Sequence, residues 1–276
     1  MQGGQGTEWS AERYTAFEDE RTRPVRDLLA ALPVRDARVA MDLGCGPGNS
    51  TEALARRFPD ATVTGVDASP DMISAARRRL PHLRFETAGI EAWAASGAGT
   101  APAGDSGPFE VVLSNAALHW LPDHATLLPR LLGTLAPGGA LAVQMPDNLD
   151  EPAHRLMREV ATNGPLADAL AAAAAARTPL GDSAWYYRLL RPHCAAVDVW
   201  RTTYHHPLAG GADAVVEWFK GSGLRPFLAP LDAPARAAYL ARYRDAVARA
   251  YPALPDGTVL LPFPRLFFVA TRRVPV

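Results

Sequence analysis

The sequence predicts an α/β fold, a Rossmann-like parallel sheet with crossover helices on both faces. Three observations predict it. β-rich and helix-like runs alternate between Val39 and Met145, a glycine-rich turn (Asp42-Leu43-Gly44-Cys45-Gly46-Pro47-Gly48) follows the first β-rich run, and Asp67 closes the second. Glycines spaced two apart let the chain turn sharply and approach a ligand closely, because no Cβ intervenes. The helix that follows aims its amide donors at the same spot, and a carboxylate at Asp67 can accept both hydroxyls of a ribose. Together these features predict a nucleotide site.

The elements follow from periodicity and punctuation. Residues 9–32 read as helical, with Tyr14, Phe17, Val25, Leu28 and Leu29 at helical spacing and Pro24 near a join between two helices. The sheet strands are expected at 39–43, 62–67, 83–87, 111–115 and 140–145, with helices at 50–58, 70–80 and 123–135 between them. Ser69 is the expected N-cap of the second of these helices, with Pro70 at its first position. Residues 95–108 are low in complexity and read as a surface loop, and Pro137-Gly138-Gly139 as the turn that stops one helix and launches the fifth strand. Beyond Met145 helices are expected at 151–161, 166–177, 185–190, 212–221 and 232–251, with strands at 198–204 and 266–271. These later helices are expected to cap the carboxyl edge of the sheet, where α/β proteins bind ligands.

Composition narrows the classes. A chain of 276 residues with 48% apolar content fits one large core plus an appended region. The balance of 28 Lys+Arg against 29 Asp+Glu leaves a formal charge of −1, which argues against nucleic-acid binding. The 2 cysteines, Cys45 and Cys194, form no CxxC pair, and adjacent His205 and His206 on a strand point to opposite faces, so no metal site is expected. The amino terminus shows no apolar signal core, and the alanine-rich stretch 166–176 is too short for a membrane span. A soluble cytoplasmic protein is expected.

The turn discriminates among nucleotides. No Gly-Lys-Ser/Thr follows, which excludes a P-loop, and Asn49 stands where a dinucleotide pattern wants its third glycine, which disfavours an NAD-dependent oxidoreductase. The Asp42–Asn49 stretch resembles the first motif of class I S-adenosylmethionine-dependent methyltransferases. Further stretches, Leu118-His119-Trp120-Leu121-Pro122-Asp123-His124, Val143-Gln144-Met145-Pro146-Asp147-Asn148, Leu156-Met157-Arg158-Glu159-Val160-Ala161, Trp200-Arg201-Thr202-Thr203-Tyr204, Gly223-Leu224-Arg225-Pro226 and Phe263-Pro264-Arg265-Leu266-Phe267, are similar to the trans-aconitate 2-methyltransferase family. That resemblance implies a class I methyltransferase sheet with a helical cap. It implies a single domain over 1–276, with an amino-terminal helical cap at 1–32, a cofactor-binding core at 33–146 and a carboxyl-terminal part at 147–276 that carries the substrate cap and the last strands. The implied reaction is methyl transfer from S-adenosylmethionine to a carboxylate of trans-aconitate, a tricarboxylate. A methyltransferase for another small acid or secondary metabolite, and a non-catalytic S-adenosylmethionine-binding protein, are the alternatives.

Mapped onto the family pattern, Asp42, Gly44, Cys45, Gly46 and Gly48 surround the amino-acid half of the cofactor. Asp67 takes the ribose, Ala68, Ser69 and Met72 lie beside the adenine, and Asn115 lines the reaction side. Ala88-Gly89-Ile90 lacks the acid that family members often carry after the third strand, leaving backbone groups of Gly89 and Ile90 for the adenine edge. A carboxylate is ionised at neutral pH, so the chemistry needs positioning and desolvation and no general base. Guanidinium forks suit a tricarboxylate, and the candidates are Arg21, Arg23, Arg201, Arg225 and Arg265. His119, Tyr187 and Tyr204 are the further positioning candidates, with Tyr186 and Trp120 beside them.

Overall fold

The computed structural model describes residues 18–95, 108–176 and 178–274, and of 18–21 the backbone alone. The chain forms two compact units, one built from Leu149–Arg177 and His205–Pro262, the other from Thr22–Asn148, Thr178–Tyr204 and Phe263–Val276.

The second unit carries most of the sheet. Helix α1 (Glu18–Ala30) leads into β1 (Val39–Leu43), α2 (Asn49–Arg57), β2 (Thr62–Asp67), α3 (Pro70–Arg79), β3 (Arg84–Thr87), α4 (Ile90–Ala95) and β4 (Phe109–Asn115). A 3₁₀ turn at Leu118–Trp120, α5 (His124–Gly133) and β5 (Leu135–Pro146) follow, and α8 (Ser183–Leu190) precedes β6 (Cys194–Ala209) and β7 (Thr258–Arg272), whose outer parts run on into the other unit. The strand order is β3-β2-β1-β4-β5-β7-β6. Strands β1 to β5 pair in parallel and β7 returns antiparallel to β5. The order reverses between β1 and β4, so a crevice opens at the carboxyl end of β1, where the glycine turn lies.

Alternation along the strands assigns the two faces. Met41, Leu43, Val112, Leu141, Val143 and Phe268 bury one face against Leu127, Leu128 and Leu131 of α5 and Tyr186 and Leu190 of α8. Ala40, Val111, Leu113, Ala142, Phe267 and Val269 bury the other against Val25, Leu28 and Leu29 of α1 and Leu54 of α2. The alanines on this second face let α1 approach the strands closely. Ser69 caps α3 by accepting from the Met72 amide at 3.4 Å, with Pro70 at the first position as expected.

Three expectations are corrected. Pro24 lies inside one continuous helix rather than at a join. Helix α5 ends at Gly133, and Pro137-Gly138-Gly139 lies within β5: the ladder to β4 passes from the Phe109↔Leu135 pair to Val111↔Ala140, so the strand bulges there, with Gly138 at φ 79. Strands β6 and β7 run much longer than 198–204 and 266–271. β6 is an edge strand and its Pro207 is exposed, where a missing N–H costs no ladder bond.

The other unit is mainly helical: α6 (Pro152–Thr162), α7 (Ala167–Ala175), α9 (Gly211–Lys220), α10 (Arg225–Leu228) and α11 (Ala233–Ala250). Tyr239, Tyr243 and Val247 recur every fourth residue and bury one face of α11. The Tyr239 hydroxyl donates to the Met157 carbonyl at 3.0 Å and the Tyr243 hydroxyl to Ala153 at 3.2 Å, which fixes α11 against α6. His205 is exposed and His206 is buried and stacked on Trp218 at 4.7 Å, so the two histidines do face opposite ways. No helix among the described residues is long and apolar enough to cross a membrane.

Candidate active site

The glycine turn is shaped by close approach. Gly44 (φ 73), Gly46 (φ 54) and Gly48 (φ 97) all hold left-handed conformations. A Cβ on Gly44 would overlap that of Ala117, whereas one on Gly46 would meet nothing within 4 Å. Gly44 therefore packs the turn against the segment after β4, while Gly46 leaves its ligand side open. The Gly44 and Cys45 amides donate to the Val66 carbonyl at 2.7 and 3.0 Å, which ties the turn to β2. Asp67 completes the frame, accepting from the Gly46 amide at 3.0 Å and the Ser69 amide at 2.8 Å. Each oxygen keeps a second lone pair.

Cys45 is buried, and desolvation, reinforced by the charges of Asp42 and Asp67, pushes its thiol far above the ordinary range. It is an inert part of the turn. Ala68 is exposed, Met72 and Ile90 are half-buried, and a Cβ on Gly89 would meet open space. The Gly89 carbonyl already accepts from Trp93 in α4 at 2.9 Å.

Beneath the turn, Asp42 is fully buried. Its Oδ2 accepts from the hydroxyls of Ser50 and Thr51, each at 2.7 Å, while Oδ1 has no partner. Burial raises its pKa to about 6, against the opposing effect of the two hydroxyls. Along the same sheet face, by strand alternation, lie Asn115 at the end of β4 and Gln144 in β5, which are register partners. Asn115 Oδ1 has no partner, and Ala116 after it is the one non-glycine residue of positive φ among those described (φ 54). Backbone strain of this kind gathers at functional sites.

Gln144 is 0% exposed and Arg265 of β7 only 5%. The guanidinium Nη1 donates to Gln144 Oε1 at 3.1 Å, and Gln144 Nε2 has no partner. An unmade bond to a buried donor costs about 1–3 kcal/mol. The Arg265 guanidinium also lies over the Phe263 ring, 4.9 Å from its centroid. Nearby, the Tyr204 hydroxyl donates to Asp27 at 2.6 Å and the Arg23 guanidinium lies 5.2 Å from the Tyr204 ring centroid. Burial and the Asp27 carboxylate drive the Tyr204 hydroxyl well above its usual pKa. Its one proton is held by Asp27.

A methyltransferase-domain family model matches residues 40–139. The chain is 54% identical over 265 residues to the trans-aconitate 2-methyltransferase of Methylobacterium nodulans, covering 96% of this chain and 98% of that protein. The chain belongs to the trans-aconitate 2-methyltransferase family. A relative of the same name from Rhodopseudomonas palustris is also 54% identical, over 96% of this chain and 99% of that one. Among solved structures, Haemonchus contortus phosphoethanolamine N-methyltransferase 2 in complex with phosphomonomethylethanolamine and S-adenosylhomocysteine gives a TM-score of 0.52 at 15% identity, covering 92% of this chain and 53% of that one. The fold is that of a class I methyltransferase.

For this member of the trans-aconitate 2-methyltransferase family, the sheet unit brings Asp42, the glycine turn, Asp67, Asn115 and Arg265 to the carboxyl ends of the parallel strands. His119 is buried in the 3₁₀ turn after β4, its ring 4.8 Å from the half-exposed Trp120. Tyr187 is 44% exposed on α8, while its neighbour Tyr186 is buried and hydrogen-bonded to His124 Nδ1 at 2.7 Å. Arg201 is ion-paired with Asp147 at 2.8 Å. Arg225 belongs to the other unit, where it begins α10 and is exposed. The Arg21 side chain lies outside the described residues. Gln144 lies within the Val143–Asn148 stretch, which by itself assigns it no role. A signal for it exists, since one amide interrupts the otherwise apolar run Ala140-Leu141-Ala142-Val143-Gln144-Met145.

Proposed function

We propose that this chain methylates trans-aconitate, using S-adenosylmethionine and forming a monomethyl ester. The cofactor, when bound, supplies an electrophilic methyl group to a carboxylate oxygen and departs as S-adenosylhomocysteine. The observation that carries the reading is the pairing of unlike polar groups on one sheet face. Asp42 Oδ1 and Asn115 Oδ1 offer buried acceptors near the glycine turn, while Arg265 with Gln144 offers donors two strands further along. The acceptors suit the ammonium of an amino-acid moiety, and the open side of Gly46 suits the close approach of that moiety to the backbone. Asp67 and Ser69 suit the nucleoside half.

No residue needs to take a proton, because the nucleophile is already an anion at neutral pH. The chain's task is to strip water from that anion and hold it still. A guanidinium in the protein interior does both, since charge-assisted hydrogen bonds there replace hydration with fixed donors. The names carried by the full-length relatives supply the acid, trans-aconitate.

The test is an end-point assay with product identification. Purified protein, S-adenosylmethionine and trans-aconitate should yield equal amounts of S-adenosylhomocysteine and monomethyl trans-aconitate, the latter assigned by NMR. Turnover with a different acid and none with trans-aconitate would displace the acceptor; turnover with no acid would displace the reading.

A further inference from the structure

We propose that Gln144 is a specificity-determining residue that, with Arg265, grips one carboxylate of the acceptor and selects it over the neutral amide. The proposal rests on the methyl-transfer reading above. It concerns a residue whose unmet hydrogen bond the fold itself does not explain.

The orientation of the Gln144 amide is set by its neighbour. Its Oε1 accepts from Arg265 Nη1 at 3.1 Å. The reversed amide would press NH₂ donors against guanidinium donors, so Nε2 is the atom turned away. That Nε2 is buried and has no partner. Gln144 pairs with Phe267 in the β5–β7 ladder and Arg265 with Pro146, which makes Gln144 and Arg265 diagonal neighbours on one face. With Oε1 turned to the guanidinium, the atom Gln144 turns toward a ligand is a donor, the Nε2 amide, beside the donor groups of Arg265.

A carboxylate is acceptor-only and matches this pair of donors. An amide in its place would set its own NH₂ against one of them, leaving two donors facing and unpaired. The adjacent strand has the opposite polarity. Asn115, the register partner of Gln144 in β4, presents an unpaired Oδ1, yet the two amides do not satisfy each other. The face thus changes from acceptor to donor between β4 and β5, at a step of about 4.8 Å. A ligand donor group is favoured on one side of that step and an anion on the other, which is the order in which methyl donor and carboxylate must meet.

The test compares Gln144→Met and Gln144→Glu with wild-type protein. It measures kcat and KM for trans-aconitate and for its monoamides, and the dissociation constant of S-adenosylhomocysteine by calorimetry. Gln144→Met should raise the KM for trans-aconitate by about tenfold or more, because a hydrogen bond to a charged group is lost, while S-adenosylhomocysteine affinity stays within about twofold. Gln144→Glu should raise KM further and narrow or invert the preference for acid over amide, since a carboxylate there pairs with Arg265 and accepts from an amide NH₂. If Gln144→Glu does not fold, Gln144→Met, which is apolar and of similar length, carries the test. Wild-type KM in a variant that still binds S-adenosylhomocysteine overturns the proposal. A parallel rise in KM and in the S-adenosylhomocysteine dissociation constant also overturns it, because Gln144 would then only shape the strand. Should wild-type protein methylate another carboxylic acid instead, the trans-aconitate assignment fails while the Gln144 measurements, repeated on that acid, still decide this proposal.

Discussion

In the helical unit the buried hydroxyls of α11 are paired: Tyr239 with Met157 O, Tyr243 with Ala153 O, while the Tyr251 hydroxyl accepts from the Ala153 amide at 3.0 Å. In the sheet unit Asp42 Oδ1, Asn115 Oδ1, Gln144 Nε2 and Asn148 Oδ1 are equally buried and have none. Both units pack large apolar surfaces, so the difference does not lie in burial. It lies in where the polar groups find partners. Paired groups stabilise a fold, whereas unpaired ones cost it stability and point to a missing ligand. The tyrosine hydroxyls of α11 serve the architecture of their own unit, whereas the sheet unit gathers four such polar atoms at the carboxyl ends of β1, β4 and β5 and just beyond.

The largest expected effect comes from Gly44. In Gly44→Ala a Cβ must overlap Ala117 at a residue held at φ 73, so the turn shifts and calorimetry should show S-adenosylhomocysteine binding weakened about a hundredfold or lost. Retained affinity would mean that the turn does not form the cofactor site. Arg265→Met comes next: it removes the charge from the proposed anion clamp, and steady-state kinetics should show the KM for acid raised about thirtyfold with S-adenosylhomocysteine affinity little changed. Arg265→Lys should recover only part of this, as an ammonium lacks the planar fork.

Asp42 gives a pH-dependent contrast. Its folded pKa of about 6 stands above the unfolded value of 3.8, so the native state holds the extra proton between them. Its contribution is fully present below the unfolded pKa and is lost as pH rises through about 6. Asp42→Asn, which can still accept from Ser50 and Thr51, should therefore gain stability over wild type as pH rises from 4 to 7, by about 3 kcal/mol at most in ligand-free protein. The same variant should bind S-adenosylmethionine more weakly. Urea unfolding at pH 5 and pH 8 checks the first point; a difference independent of pH would show that Asp42 does not titrate in this range.

The smallest effect belongs to the helical unit. Tyr239→Phe removes one paired hydroxyl and leaves the Met157 carbonyl without it, so denaturant unfolding should show a loss of about 1 kcal/mol. S-adenosylhomocysteine affinity should not move. A large loss of affinity would break the contrast between the two units.

Much of the fold around the glycine turn was legible in the sequence. Strands at 39–43 and 62–67 match β1 and β2 to the residue, and Ser69-Pro70 marks the start of α3, because each signal is local: β-branched runs, a glycine turn and a capping hydroxyl act within a few residues of where they are written. The breaks in pattern misled. Pro137-Gly138-Gly139 reads as a turn by composition, but pairing with β4 carries the strand through it as a bulge. Local pattern ends β6 at 204, but its place beside β7 in the sheet carries it to Ala209. In each case a neighbour remote in sequence decides.

The site divides along the same line. The sequence by itself determined the glycine turn, Asp67 one strand later and the chemical kind of the buried polar residues, since backbone conformation at Gly44 and Gly48 and the cost of an amide in an apolar strand are properties of the residues themselves. Only the tertiary structure decided that Arg265 lies against Gln144, 121 residues away, and that the Tyr204 hydroxyl donates its hydrogen bond to Asp27. Such pairings depend on the register of strands joined through long connections. Register is fixed by the packing of the whole sheet, and no local propensity encodes it.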